Sequence, residues 1–261
     1  MNSLKMIFMG RKTYGARMLQ WSMDQGIEVA AVCTEPGEDG FPVADAARKS
    51  GIPVTDMEEA GRLVSGGGID LAVSYLYGRR IKGALLDAPP LGCINFHPAI
   101  LPDWRGTAGY NMAILKQLPQ WGATAHYVDE SIDTGAIIRV YRFDFDYRTE
   151  TAVTLEKKTQ SIQMDLYKSV ILDVLQNGRT EKLPCVPQDN KSGVYISRDR
   201  MNEMKRIDFE KDKDILDSKI RAFWFPPYDG AFIEVNGKKY TLIDREILAS
   251  IAGEISGTEK L

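Results

Sequence analysis

The 261-residue chain is short of histidine and cysteine, has no large excess of either charge and has no long apolar run; each shortage removes options. Its three thiols, Cys33, Cys93 and Cys185, are odd in number and scattered, so neither a disulfide framework nor a cysteine-rich zinc cluster is indicated and a reducing, cytoplasmic setting fits. A formal net charge of -3 supplies no global basic field of the kind that holds nucleic acid. No window reaches the apolar length that crosses a bilayer, and the stretch from Met1 to Gly10 is too short for a signal peptide, so no membrane partner and no export are expected. Repeats and low-complexity tracts are also missing. What remains is 44% hydrophobic and 26% charged, enough for one large or two smaller globular domains. The scarcity of histidine says most. There are two, His97 and His126, and the second lies seven residues ahead of Asp133, so any imidazole chemistry near neutral pH belongs to this region.

The first two thirds of the chain alternate strand and helix. Met6 to Met9 reads as a short apolar strand, and Gly15, Met18, Leu19 and Ser22 then recur at helical spacing until Gly26 stops the helix and Glu28 to Cys33 resumes a strand. A helix near Val43 to Ser50 follows, ended by Gly51, with strands at Ile52 to Thr55, Ile69 to Tyr75 and Gly92 to Phe96. Strand candidates at Gly122 to Val128 and Ala136 to Phe145 flank the turn-rich loop Asp129 to Gly135. Leu155, Ile162, Leu166, Val170 and Val174 mark one stripe of a long helix ending at Asn177-Gly178. This pattern predicts an α/β fold, a Rossmann-like, mostly parallel sheet with helices on both faces. Beyond Gly178 prolines, charges and a hairpin signal, Asn236-Gly237 inside Phe232 to Ile243, take over. The expected division is therefore a catalytic domain over 1–178 and a small strand-containing subdomain over 179–261.

Two segments carry chemistry. Gly10-Arg11-Lys12-Thr13-Tyr14-Gly15 follows a strand and opens a helix, but it lacks the second glycine of the dinucleotide fingerprint and any Gly-Lys-Ser/Thr ending. It is either a plain strand-to-helix turn or a place where backbone amides, with Arg11 and Lys12, receive a substrate phosphate. The stronger segment runs from Ile94 to Gly106. Alternation on its strand points Cys93, Asn95 and His97 to one side, the latter two at the carboxyl end of a parallel sheet, where open sheets place ligands. An amide donor and an imidazole can stabilise a developing oxyanion and move a proton, and a carboxylate such as Asp133 fixes the imidazole's tautomer. Taken singly, a strand-end Asn or His caps a turn and Asp-Thr-Gly is a common turn tripeptide. Two histidines and a carboxylate do not make the ligand spacing of a zinc site, and no metal is expected.

The segment Asn95-Phe96-His97-Pro98-Ala99-Ile100-Leu101-Pro102-Asp103-Trp104-Arg105-Gly106, with Gly122-Ala123-Thr124-Ala125-His126 and Asp133-Thr134-Gly135-Ala136-Ile137-Ile138 downstream, resembles the core of the formyltransferases that use 10-formyltetrahydrofolate. That family includes glycinamide ribonucleotide transformylase, methionyl-tRNA formyltransferase and the sugar N-formyltransferases. The resemblance implies that Asn95, His97 and Asp133 are catalytic and that the folate co-substrate is held by Tyr77, Arg80, Ile81, Glu130 and Ser131. It also implies a cis Leu101-Pro102 bond and a homodimer. A solvated helix start is the plainer account of the Arg79 and Arg80 side chains.

The acceptor is argued from the carboxy-terminal part. Ile220 to Phe232, with its Phe-Trp-Phe-Pro-Pro-Tyr run, resembles the opening of the second domain of tRNA and sugar formyltransferases, and the chain then ends early for the full barrel of the tRNA enzymes. Residues 178–261 hold fifteen Lys and Arg against fifteen Asp and Glu, whereas a tRNA grip needs a basic excess. The expected acceptor is thus a nucleotide-linked amino-deoxysugar of the kind used in surface polysaccharides, met by Arg11, Lys12, Arg105, Trp224 and Tyr228. Core packing is the plainer account of the aromatics. Methionyl-tRNA formylation, a non-catalytic folate- or nucleotide-binding module and a nicotinamide oxidoreductase are the alternatives.

Overall fold

In the computed structural model, which describes residues 3–35, 37, 41–107, 109–177, 181–189 and 191–256, strand and helix alternate as the sequence predicts. The chain runs β1 (Lys5–Gly10), α1 (Lys12–Asp24), β2 (Glu28–Cys33), α2 (Phe41–Lys49), β3 (Val54–Thr55), α3 (Met57–Ser65), β4 (Leu71–Tyr75), α4 (Ala84–Asp87) and β5 (Cys93–His97). Next come β6 (Trp104–Gly106), α5 (Gly109–Leu115), β7 (Gln120–Tyr127), β8 (Ile137–Asp144) and α6 (Ala152–Gln176). The rest is β9 (Val194–Ile196), α7 (Arg198–Met204), α8 (Leu216–Phe223), β10 (Phe232–Val235), β11 (Lys238–Thr241) and α9 (Arg245–Ser256). The α3 and α4 crossovers are not among the expected elements, although Asp56 and the stripe of Met57, Ala60 and Val64 mark α3; α4, four residues long, is too short to show a stripe. The final glycine of the expected stop for α6, Gly178, lies outside the described residues.

A seven-stranded sheet in the order β3-β2-β1-β4-β5-β7-β8 organises the fold. β1 pairs in parallel with β2 and β4, and β4 with β5, while β7 joins β5 antiparallel. The central strands are apolar along both faces, as a sheet covered on two sides requires: every residue of β4 and all but the first of β1 are buried. Alternation sorts their side chains. Met6, Phe8, Val73, Tyr75, Ile94 and Phe96 face a core shared with α1, α2 and α6, whereas Ile7, Met9, Ala31, Cys33, Ala72 and Cys93 face one shared with α3 and α4. Tyr167 of α6 is fully buried in the first core, in ring contact with Phe8, Trp21, Tyr75 and Phe96, and its hydroxyl meets Ser22 Oγ at 2.7 Å. The helix starts and stops follow local chemistry. Asp56 caps α3 by accepting the Glu59 amide at 2.8 Å, and Gly26 and Gly51, at φ 76° and 70°, end the first two helices.

Contacts divide the chain into two units that do not coincide with a cut at residue 178. The first holds 1–105, 122–142 and 159–194, and the second 106–121, 143–158 and 195–261. The reason is that β7, β8 and α6 are long elements that leave the sheet unit part-way, and that residues 181–194 return to it. In the second unit α5 and α8 pack together with Asn111 Nδ2 donating to the Ala222 carbonyl at 2.6 Å, and β10 and β11 form the expected hairpin around Asn236 and Gly237, both at positive φ. A cavity of about 730 Å³ within this unit is lined by charges that are mostly paired with one another, Arg200 with Glu203, Lys211 with Asp208 and Lys219 with Asp212.

The aromatic core sets a stability prediction. Tyr167→Phe removes the bond to Ser22, whose hydroxyl keeps the Met18 carbonyl at 2.8 Å, and should cost about 1 kcal/mol, whereas Tyr167→Ala empties a ring-sized space and should cost about 3 to 5 kcal/mol. Urea unfolding of the two variants tests this; equal losses would show that the ring contributes little beyond its hydroxyl.

Candidate active site

The antiparallel register of β5 and β7 sets Asn95 opposite His126 and His97 opposite Thr124. Cross-strand neighbours on one face interact directly, which alternation along a single strand cannot reveal. Asn95 Nδ2 lies 3.0 Å from His126 Nε2, and His126 Nδ1 lies 2.7 Å from the Tyr127 carbonyl. A carbonyl only accepts, so Nδ1 carries the proton, Nε2 is the acceptor in the neutral ring, and the Asn95 amide is turned with its nitrogen toward it. The same reasoning fixes His97. Its Nε2 lies 2.9 Å from the Trp104 carbonyl and is therefore protonated, leaving Nδ1 toward Asp133 Oδ1 at 3.5 Å. Asp133 Oδ1 is also 3.7 Å from His126 Nε2. The His126 Nε2 lone pair is taken by the Asn95 amide, so His97 Nδ1 is the ring nitrogen that presents a lone pair to the Asp133 carboxylate, with His126 packed beside it. Thr124, fully buried, supports it by accepting the Leu101 amide at 3.1 Å and donating to the Ala99 carbonyl at 2.7 Å; the intervening Leu101-Pro102 bond is cis, as the resemblance implied.

Asp133 reaches this position on the 129–135 loop. It sits at φ 56°, a left-handed conformation that Asp tolerates better than most residues. Asp129 folds the loop by accepting from the Ser131 amide at 3.0 Å and the Thr134 hydroxyl at 2.6 Å. A side chain at Gly135 is impossible, since its Cβ would lie 1.8 Å from the Tyr127 carbonyl. Gln188 closes the loop from outside, its Nε2 donating to the Asp133 carbonyl at 3.1 Å and the Gly135 carbonyl at 2.6 Å. Sequence reading singled out His126 but gave it no role, and it missed Thr124, Asp129 and Gln188. The Asp-x-Ser-x-x-Thr spacing of an Asx turn was a usable signal for Asp129; none existed for Gln188, which is 55 residues from its partner.

The residues expected at the co-substrate are near one another. The Arg80 guanidinium donates to the Glu130 carbonyl, joining the 76–81 and 129–131 segments, so its side chain is bound and not merely solvated. Ile81 is a core residue, packed with Leu85, Cys93, Tyr77 and Val128. Tyr77 Oη meets Cys33 Sγ at 3.3 Å, and the ring borders a cavity of about 380 Å³ lined also by Thr34, Glu35, Phe41 and Arg79. Ser131 takes part through its amide. Of the residues expected at the acceptor, Arg11 precedes α1 and donates from Nε to the Leu76 carbonyl at 2.6 Å, with Glu35 at 3.8 Å; Glu35 also accepts the Gly78 amide. Lys12 opens α1 at φ 61°. Arg105 Nη2 lies 3.4 Å from both Gln188 Oε1 and the Asp189 carbonyl. Trp224 and Tyr228 belong to the second unit, where Trp224 is half-buried and Tyr228 is 61% exposed with its ring against Phe225. Among the described residues no group of three or more His, Cys, Asp or Glu is arranged to hold a metal ion.

Comparison with known proteins bears on this geometry. Residues 4–171 match the family described as "Formyl transferase". A methionyl-tRNA formyltransferase of Novosphingobium aromaticivorans is 30% identical over 264 residues, covering 96% of this chain and 84% of that protein. Among solved structures, a 4-N formyltransferase from Francisella tularensis superposes with a TM-score of 0.76 at 24% identity, covering 92% of this chain and 96% of that one. The N-formyltransferase from Helicobacter canadensis, solved in complex with folinic acid and dTDP-3-aminofucose, gives 0.72 at 25% identity, covering 91% and 86%.

The thiol next to the site is not a nucleophile. Cys93, two residues before Asn95, is fully buried and burial pushes its thiol up to about 12, while Cys33 is raised by burial more than its contact with Tyr77 lowers it; Cys185 is exposed. Iodoacetamide at neutral pH should therefore alkylate Cys185 alone in the native protein and all three thiols after unfolding. Peptide mass mapping that finds Cys93 labelled in the native state would contradict the buried placement of β5.

Proposed function

Because the chain belongs to the formyl transferase family and is a formyl-transferring enzyme, we propose that it moves the formyl group of 10-formyltetrahydrofolate to the amine of a nucleotide-linked amino-deoxysugar. The observation that carries the reading is the cluster of Asn95, His97, His126 and Asp133, an amide donor beside a proton-sharing pair at the carboxyl end of a parallel strand. The co-substrate fits the donor set. The 76–81 and 129–131 segments are tied together by Arg80, offer backbone polar groups beside the apolar Ile81, and flank Asp133. Bound there, the folate supplies an activated one-carbon unit.

The remaining chemistry falls to this chain's own residues. Asn95 has given one N–H to His126 and has a second for the oxygen on which negative charge builds as the amine adds. His97 spends its Nε2–H on the Trp104 carbonyl, so its contribution to that charge is the proton it shares through Nδ1 with Asp133. Asp133 receives the proton that the attacking amine must lose and returns it to the departing folate amine as the bond between that nitrogen and the formyl carbon breaks, with His97 Nδ1 holding the carboxyl group in place. Both groups are nearly buried, where water screens such interactions least.

The acceptor reading is supported by the even charge balance of 178–261 and by the nucleotide sugar bound in the Helicobacter canadensis relative. Its pyrophosphate needs cations, and Arg11, Lys12 and Arg105 supply them on the sheet unit. Surface polysaccharide biosynthesis in the cytoplasm, by a homodimer, is the setting this implies. Methionyl-tRNA is the second reading, favoured by the identity to the Novosphingobium aromaticivorans enzyme.

His97→Asn and Asp133→Asn should each lower turnover at least about a hundredfold while circular dichroism shows the fold retained. Near-normal turnover in either would sink the catalytic assignment. Arg105→Ala and Lys12→Ala should raise the KM for the nucleotide sugar more than that for the folate, because each charge-assisted bond to the pyrophosphate contributes about 1.5 to 3 kcal/mol. Unchanged acceptor constants in both variants, or faster formylation of initiator methionyl-tRNA than of any nucleotide-linked 3-amino or 4-amino sugar, would replace the sugar reading with the tRNA one.

A further inference from the structure

Residues 183–189 and 191–194 run back over the sheet unit as a strap pinned at successive points. The Leu183 amide donates to Tyr127 Oη at 2.7 Å, Val186 and Ile137 exchange two backbone bonds of 2.8 Å, and the Val194 amide donates to the Asp103 carbonyl at 2.8 Å. Gly193, at φ 89°, lies so close to the Pro102 carbonyl that a Cβ would stand 1.9 Å from it. The strap therefore spans both segments that carry the reacting groups, the loop of Asp133 and the turn after His97. At its middle is Gln188.

We propose that Gln188 is the positioning residue that holds the Asp133 carboxylate between His97 and His126. All three of its contacts bear on that task. Its two amide hydrogens go to the carbonyls of Asp133 and Gly135, on either side of Thr134, which fixes the peptide planes around a residue in the left-handed region. That conformation is sparsely populated for a residue with a side chain, so the loop keeps it only where its surroundings hold it. The amide oxygen faces Arg105 Nη2 at 3.4 Å, and this sets the orientation, because a flipped amide would turn its oxygen against two carbonyl oxygens and its nitrogen against a guanidinium. A carboxylate 3.5 Å from one ring nitrogen and 3.7 Å from another is sensitive to a small displacement, and a shift of about 1 Å in a reacting group costs on the order of a hundredfold in rate. The inference rests on the assignment of Asp133 as the proton-handling group.

The chain's two histidines make a direct readout possible, since both rings face Asp133 and a ¹³C-histidine-labelled sample gives two ring systems with no others to confuse them. The charged groups bearing on those rings are Asp133 from its loop and, through Gln188, Arg105 from β6. Gln188→Glu keeps the shape but presents an acceptor to two carbonyls, Gln188→Ala removes the amide altogether, and Ser192→Ala breaks a different strap bond, the 2.8 Å contact to the Asp189 carbonyl. Both Gln188 variants should move the titration midpoints of the ring signals and lower kcat by about ten- to a hundredfold with little change in the folate KM, while Ser192→Ala leaves both measurements at the parent's values. Unchanged ring titrations in the Gln188 variants, or the same changes in Ser192→Ala, would overturn the proposal. The titrations need no acceptor. If no nucleotide sugar is formylated by the parent but Gln188→Glu still moves the histidine midpoints, the positioning role stands and the acceptor assignment alone has failed.

Discussion

One carboxylate oxygen, Asp133 Oδ1, between two imidazole nitrogens at 3.5 and 3.7 Å is the arrangement on which the rest of the structure depends. Each ring is locked by donating its other nitrogen's proton to a backbone carbonyl, Trp104 for His97 and Tyr127 for His126. Neither can turn away without leaving a buried polar group unpaired, which costs about 1 to 3 kcal/mol. The His97 Nδ1 lone pair therefore has to face the carboxylate, while that of His126 Nε2 meets the Asn95 amide. Asn95 is drawn into the same network, since its amide nitrogen is held by His126 and so faces the reaction in one orientation.

Rigidity for this arrangement comes from the sheet. β5 is buried between β4 and β7, with Phe96 packed among Tyr75 and Tyr167 on one side and Cys93 among Ile7, Met9 and Cys33 on the other. Gln163 of α6 donates to the Phe96 carbonyl at 2.6 Å, fixing the strand between Asn95 and His97. Close packing of this kind transmits any change in volume, so the strand end that carries Asn95 and His97 is as fixed as the core beneath it. The loop of Asp133 has no such bed. It is held by hydrogen bonds, from Asp129 within and from Arg80 and Gln188 outside, and so depends on the strap in a way that β5 does not.

What the sequence could tell about each part follows from the range of the interactions involved. Runs such as Met6 to Met9 and Leu71 to Tyr75 reveal buried parallel strands because burial on both faces demands apolar residues in succession, and Gly26, Gly51 and Asn236-Gly237 mark stops and a hairpin because their backbone angles are set locally. α3 does carry such signals, in the Asp56 cap and the stripe of Met57, Ala60 and Val64, whereas α4 is only four residues long, and the two contact units differ from a cut at 178 because contact density is not a local property. Asn95, His97 and Asp133 were legible through a motif whose residues are close along the chain.

The amino-acid sequence by itself determined the α/β alternation and the family to which the chain belongs, because each is written in spacings of a few residues. Only the tertiary structure decided which nitrogen of each ring carries its proton, that His126 completes the cluster, that Arg80 is bound to the neighbouring loop, and that Gln188 closes the loop of Asp133. The bonds that fix the ring protons span only seven residues and one, but the other three are contacts between strands and loops separated by 31 to 55 residues, set by sheet register and by the return of the strap. A hydrogen bond is specified by distance and angle between two atoms, and for partners so far apart along the chain those quantities do not exist until the chain has folded.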